Sequence, residues 1–183
     1  DVMFTNIVFA CLGSFNSDGT RGPTRISGYQ AAVPTTAAVL ADGAHNVAFV
    51  GCTVRNVGEY AVWFRDGCVS NRLEHCLLTD LGAGGVRIGN QVGEHPRPAG
   101  DVPFRAEGPL VTAFNTVDDC VITHGGRVHA AGVGVLVTHA SDSQITHNEI
   151  SDFFYTGVSV GWVWGYAGSV AQRNIVAFNR IHK

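Results

Sequence analysis

The chain has 183 residues, enough for one domain with a sizeable core. A hydrophobic fraction of 45% excludes a disordered protein, and with 15% charged residues and a formal net charge of −3 there is no Lys and Arg cluster for a phosphate backbone. No apolar run reaches the length of a membrane span, so neither nucleic acid nor a membrane is expected as a partner.

Asp1 opens directly into strand-like sequence with no signal peptide, and the chain reads as a mature segment or a fragment of a longer protein. "FTNIVF" (Phe4 to Phe9) is the first copy of a short pattern: apolar, two variable residues, a small or polar residue, one variable, apolar. It recurs as "FVGCTV" ending at Val54, "LEHCLL" at Leu78, "VDDCVI" at Ile122, "ITHNEI" at Ile150 and "VAFNRI" at Ile181. The fourth positions are Ile7, Cys52, Cys76, Cys120, Asn148 and Asn179, the last five separated by 24, 44, 28 and 31 residues. A second pattern follows each copy in the middle of the chain: "AVWFRDG" from Ala61, "GVRIGNQV" from Gly85, "GVLVTHA" from Gly134 and "GVSVGWV" from Gly157. It keeps step through Val62, Val86, Val135 and Val158.

The longer steps mark insertions. One lies near residues 11–46, where "SFNSDGTRGP" reads as loop and "AAVPTTAAVLADG" as an ordered stretch; another lies near 91–113, rich in Pro, Gly and charge. "WVWGYAGS" (Trp162 to Ser169) reads as a short aromatic loop. Apolar residues spaced by two, with Val, Ile, Phe, Gly and Asn dominant, argue strands rather than helices. A unit of about two dozen residues with two short strands is the signature of a solenoid. The expected fold is therefore all-β: one right-handed, single-stranded parallel β-helix spanning residues 1–183, with loop insertions. Stacked in register, Cys52, Cys76 and Cys120 form an internal column that Asn148 and Asn179 continue at a bend. The five cysteines include no CxxC pair, so a zinc knuckle or redox motif is not expected.

"DLGAGGVRIGN" (Asp80 to Asn90), "ISDFFYTGVSVGWVWGY" (Ile150 to Tyr166) and "NIVAFNRIH" resemble a bacterial group of right-handed parallel β-helix carbohydrate-active proteins. The group is similar to glycoside hydrolase family 141 within the pectate-lyase-like superfamily, and the resemblance covers essentially the whole chain. It implies a carbohydrate-facing β-helix that degrades polysaccharides, secreted or periplasmic, with a poly- or oligosaccharide as partner. Members of the group continue past the "NRIH" coil into further coils with acidic residues, and often hold a carboxylate where this chain has Asn90. The expectation is thus a glycoside hydrolase-like protein, intact or truncated and inactive. A non-catalytic carbohydrate-binding or structural β-helix and a polysaccharide lyase are the alternatives.

Alternation along "GVRIGN" turns Val86 and Ile88 inward and Arg87 outward, in a column with Trp63, Leu136 and Ser159. Arg65, Asp66, Asn90, His139, Trp162 and Trp164 then gather at one edge of that outer face. Indoles stack on sugar rings, and Arg87 suits an anionic uronate or serves as the base of a lyase. The expected substrate-binding set is Arg65, Arg87, Asn90, His139, Trp162 and Trp164. Glycoside hydrolysis needs two carboxylates, and the candidates are Asp66, Asp80 and Asp152. Asp80 and Asp152 occupy related turns, where turn capping is the simpler explanation for both. Asp118 and Asp119, as strand neighbours, are expected on opposite sides.

His124, His129 and His139 lie in one coil and His147 in the next; without diagnostic spacing, no metal is expected. His124 and His139 are further candidates for sugar contact or acid–base work. "GAGG" (Gly82 to Gly85) lacks the third glycine and the βαβ unit of a dinucleotide loop, so no cofactor is expected. Bare coils at both ends predict self-association through a terminus.

Overall fold

A computed structural model describes residues 1–13, 30–90, 111–161 and 169–183. The chain winds in coils, and each full coil contributes one short strand to each of three walls. The first coil contains β1 (Val2–Thr5), β2 (Val8–Ala10) and β3 (Ala37–Ala41). The second contains β4 (Val47–Val50), β5 (Thr53–Val57) and β6 (Tyr60–Phe64). The third contains β7 (Arg72–Glu74), β8 (Leu77–Leu81) and β9 (Val86–Ile88). The fourth adds a two-residue strand, β10 (Thr112–Ala113), before β11 (Thr116–Asp118), β12 (Val121–Thr123) and β13 (Val133–Val137). The fifth likewise has β14 (Ala140–Ser141), then β15 (Gln144–Thr146), β16 (Glu149–Ser151) and β17 (Thr156–Val160). The sixth ends the chain with β18 (Ile175–Ala177) and β19 (Arg180–His182).

Wall one is β1-β4-β7-β11-β15-β18, wall two β2-β5-β8-β12-β16-β19 and wall three β3-β6-β9-β13-β17, every pairing parallel. This is the expected parallel β-helix. The return to the coil at Ala37 places β3 inside the stretch expected as the first insertion, and β10 falls at the end of the second.

The corners explain the sequence pattern. Between walls one and two, each coil turns on a single residue in the left-handed region: Asn6, Gly51, His75, Asp119, His147 and Phe178, with φ between 49° and 63°. Such a residue interrupts strand alternation and sends the next side chain inward. That next residue is the fourth position of the repeat. From the third coil onward, it accepts the backbone N–H of its counterpart in the preceding coil: Cys52 N–H donates to Cys76 Sγ (3.3 Å) and Cys76 N–H to Cys120 Sγ (3.4 Å). Cys120 N–H donates to Asn148 Oδ1 (3.0 Å), and Asn148 N–H to Asn179 Oδ1 (2.9 Å). A second ladder, unread in the sequence, stands before wall one. There Val47 N–H donates to Asn71 Oδ1, Asn71 N–H to Asn115 Oδ1, and Ser143 N–H to Asn174 Oδ1.

The left-handed corner also corrects the expectation for Asp118 and Asp119. Asp119 sits on the corner itself, so both carboxylates face out. Asp118 meets His147 Nδ1 and Asp119 meets His75 Nδ1, each at 2.8 Å.

Inside, Phe49 stacks on Phe4 at 4.9 Å and meets Phe9 edge-on at 6.3 Å. Higher coils fill the same space with Leu73, Val117, Leu78, Ile122, Ile145 and Ile150. The small residue that opens the wall-three strands follows from this packing. A Cβ on Gly85 would lie 2.4 Å from Ile122, one on Gly134 2.5 Å from Ile150, and one on Gly157 2.5 Å from Ile181.

Wall three has a roof. The segment from Gln30 to Thr36 runs across its outer face. Gln30 Nε2 donates to Tyr155 Oη (3.0 Å), while Ala31 and Val33 pack on Val133 and Leu136. Tyr60 Oη donates to Ala31 O (2.6 Å), and Thr36 N–H donates to Glu59 Oε2. The column Trp63–Arg87–Leu136–Ser159 is in register as expected, but Arg87 does not stand on an open face. It is 1% exposed, because the strap lies over it and the carbonyls of Val33 (3.1 Å) and Thr35 (2.7 Å) accept from its Nη1. Burial pulls its pKa down to about 10, which leaves it cationic at neutral pH.

Two outcomes are expected from this packing. Asn148 satisfies Cys120 N–H, Val117 O and Asn179 Oδ1 from a buried position, so Asn148→Ala should lower unfolding free energy by about 2–4 kcal/mol in urea titrations. Cys120→Ala, which loses a weak sulfur acceptor, should cost about 1–2 kcal/mol. The second concerns His129, which burial holds below the ordinary imidazole value of 6.5 despite the negative charge of Glu59 nearby. Below pH 6.5 the unfolded chain takes up a proton that the folded chain refuses, so stability is lost as pH falls from there through the folded value. Asp42, Asp118 and Asp142 are held below 3.8 and add their loss only at more acidic pH. His129→Gln should flatten the stability profile just below the ordinary imidazole value of 6.5, measured by denaturant midpoints.

Candidate functional site

The expected site residues separate into three places around wall three. Arg87 lies in the middle under the strap. Arg65, Asp66, Asn90 and His139 gather where the wall-three strands end. Asp80 and Asp152 lie at the opposite corner, where the chain leaves wall two. Trp162 and Trp164 lie outside the described residues.

At the strand ends, adjacent coils tie their polar groups to one another. Arg65 Nε donates to Asp42 Oδ1 (2.7 Å), Asn90 Nδ2 donates to Asp66 Oδ2 (2.8 Å), and Asp66 N–H approaches Asp42 Oδ1 at 3.4 Å. The guanidinium beside Asp42 holds its carboxyl below the usual range. Arg65 also lies 5.4 Å over the Trp63 ring. His139 is buried, with Nδ1 3.4 Å from Ser169 Oγ. Asp66 is thus part of a network of inter-coil contacts in which its carboxylate already has a donor.

The opposite corner is different. Asn56, Asp80, His124 and Asp152 form an outward column, one residue per coil, at φ values of 54°, 54°, 55° and 56°. The neighbouring strand registers set the column: Arg55 pairs with Thr79, Ile122 with Leu78, and Thr123 with Ser151. Asn, Asp and His are the side chains that best tolerate this left-handed turn, so the corner geometry selects the same residue types that chemistry uses. Asp80 and Asp152 therefore do occupy related turns. Two coil steps separate them, about 10 Å along the axis, with His124 between.

His124 Nε2 lies 3.5 Å from Asp152 Oδ2, and its Nδ1 lies 3.2 Å from Thr123 Oγ1. Arg127 Nη2 donates to the same Asp152 oxygen. The guanidinium lies 5.1 Å over the ring of Phe154, which is 67% exposed. Gly125 makes this possible: a Cβ there would meet the Phe153 ring at 1.9 Å. With Phe153 seated on the glycine, Phe154 is left on the surface.

Arg127 and Phe154 were not singled out in the sequence. The signal was the run "DFFYTG" starting on a corner residue: one aromatic can pack against the coil while the next projects. The column can bind a sugar ring on Phe154, bond hydroxyls through His124 and Arg127, and present two carboxylates across a gap wide enough for water. Among the described residues no group of three His, Cys, Asp or Glu side chains is arranged to hold a metal ion.

Residues 37–183 match the sequence profile of the family described as "Right handed beta helix region". No curated protein matches the chain. A solved structure described as a glycoside hydrolase is similar, with a TM-score of 0.65 and 23% identity over 74% of this chain. The match covers 22% of that protein, so this chain corresponds to a minor part of its length, and the likeness is one of fold. With the profile running through all the coils from β3 to the last residue, the chain belongs to the right-handed β-helix family.

Proposed function

We propose that this β-helix is carbohydrate-active and hydrolyses glycosidic bonds of a poly- or oligosaccharide at the corner column of Asp80, His124 and Asp152. The observation that carries this reading is the pair of outward carboxylates two coils apart, flanked by a cation and an exposed aromatic ring. An inverting glycosidase holds its carboxyl groups roughly 6.5–9.5 Å apart, leaving room for the attacking water. Two coil steps come close to that range, and side-chain rotation adjusts the remainder. Asp152, held by Arg127, is the carboxylate assigned to take the proton from water. Asp80 is assigned as the acid that protonates the leaving oxygen. Phe154 supplies the stacking platform and His124 a hydroxyl contact between the two.

A fold shared with a glycoside hydrolase supports the reaction class, and the exposed aromatic–cation pair supports the substrate class. No step is assigned to Asp66, which lies at the other edge of wall three from the Asp80–Asp152 pair, nor to Arg87 as a lyase base, since it is buried. Phe154 and Arg127 are also what a non-catalytic sugar-binding surface requires, so the test must separate turnover from binding.

The experiment measures reducing ends and unsaturated uronates released from a panel of neutral and acidic polysaccharides. Hydrolysis predicts reducing ends without ultraviolet absorbance from unsaturated products, and NMR of the first product should show an inverted anomeric centre. Asp80→Asn and Asp152→Asn, which keep a residue tolerant of the left-handed turn, should each lower kcat by about 10²–10⁴-fold. Phe154→Ala should raise KM with kcat largely kept. Unsaturated products would replace the reading with elimination. Binding without turnover, weakened by Phe154→Ala, would replace it with a sugar-binding module.

A further inference from the structure

The strap covers a second constellation that the corner column does not use. Beneath it, Arg87 lies 3.6 Å over the Trp63 ring and 5.3 Å from the centre of Tyr60. Its guanidinium makes no ion pair among the described residues, and its Nε has no hydrogen-bond acceptor. The buried imidazole of His129 likewise leaves Nε2 without a hydrogen-bond partner. A buried guanidinium ordinarily has a carboxylate or phosphate against it, since neutral carbonyls compensate its desolvation poorly. Here its acceptors among the described residues are two peptide carbonyls, both on Nη1, which bring no negative charge.

The cover itself is held in an unfavourable shape. Ala31 and Ala32 both take left-handed backbone angles, φ 55° and 48°, which alanine adopts at a cost that glycine does not. One end of the strap rests on Tyr155, next to Phe154 of the corner column, so opening it would extend that surface across wall three.

We propose that Ala31–Thr36 is a displaceable cover over a binding site for a carboxylate-bearing saccharide, with Arg87, held on the Trp63 ring, as the anion anchor. In the free protein the carbonyls of Val33 and Thr35 occupy the guanidinium; in the complex the ligand's carboxylate takes their place and the strap swings away. The site is separate from the corner column and does not depend on hydrolysis there.

The test uses the full chain with Trp162→Phe and Trp164→Phe, so that Trp63 is the remaining tryptophan of the three in the sequence. A galacturonate trimer is titrated while acrylamide quenching of Trp63 and hydrogen exchange at Ala31–Thr36 are followed. The expected result is saturable binding, greater quenching, and strap amides exchanging about tenfold faster or more. A glucose trimer should produce neither change. Arg87→Gln retains an amide donor for a strap carbonyl but loses the charge, and should abolish the response. Ala32→Gly relaxes the closed strap and should weaken trimer binding while leaving the fold intact, which keeps the test decisive if Arg87→Gln does not fold. The proposal is overturned by equal responses to both trimers, by binding that leaves strap exchange unchanged, by no binding, or by unchanged affinity in Ala32→Gly.

Discussion

The structure depends on a hydrogen bond that runs along the solenoid axis, from the backbone N–H of one coil to the inward side chain of the next. A parallel β-helix has no hairpins to set register, and each strand here is only a few residues long. The left-handed corner residue turns the following side chain inward, and that side chain then accepts the N–H of the preceding coil. Register is thereby fixed at the corners between walls one and two. A slip of one residue would break the ladder and expose the apolar set of that coil. The sulfur rungs tie Cys52, Cys76 and Cys120 with weak acceptors among apolar neighbours, and the amide rungs at Asn148 and Asn179 add stronger ones.

The same corner constraint shapes the chemistry. A left-handed position disfavours β-branched side chains and favours Asn, Asp, His and Gly. The corners therefore accumulate polar residues for conformational reasons before function acts on them. His75 with Asp119 and His147 with Asp118 stand at the corner between walls one and two, and Asp80, His124 and Asp152 at the one between walls two and three. What distinguishes the second is its surroundings: Phe154 lies exposed beside Arg127, whereas the first corner's exposed ring, Phe178, is stacked on His147 at 5.2 Å.

The repeat was legible in the sequence because its determinants are local. Each coil carries its own inward apolar residues, its own ladder residue and its own small residue against the next isoleucine. The column Trp63–Arg87–Leu136–Ser159 could be aligned for the same reason. Two features could not be read. Arg87 is outward from its coil yet buried, because the segment that covers it comes from an insertion far back in the chain (52 residues to Thr35 and 54 to Val33), and nothing near Arg87 announces it. Asp119 defeats strand alternation because its left-handed angle is imposed by the corner and is not marked by a glycine. The grouping of Asp66 with Asn90 was legible from the repeat; that Asp42 would enter the same network was not.

The most direct test of this account is amide NMR of the whole chain titrated with neutral and acidic oligosaccharides. The account predicts shift changes centred on Asp80, His124, Arg127, Asp152 and Phe154. Saturating binding with changes centred instead on Asp66, Asn90 and His139, or on the His75–Asp119 corner, would contradict the assignment of the sugar site to the column between walls two and three.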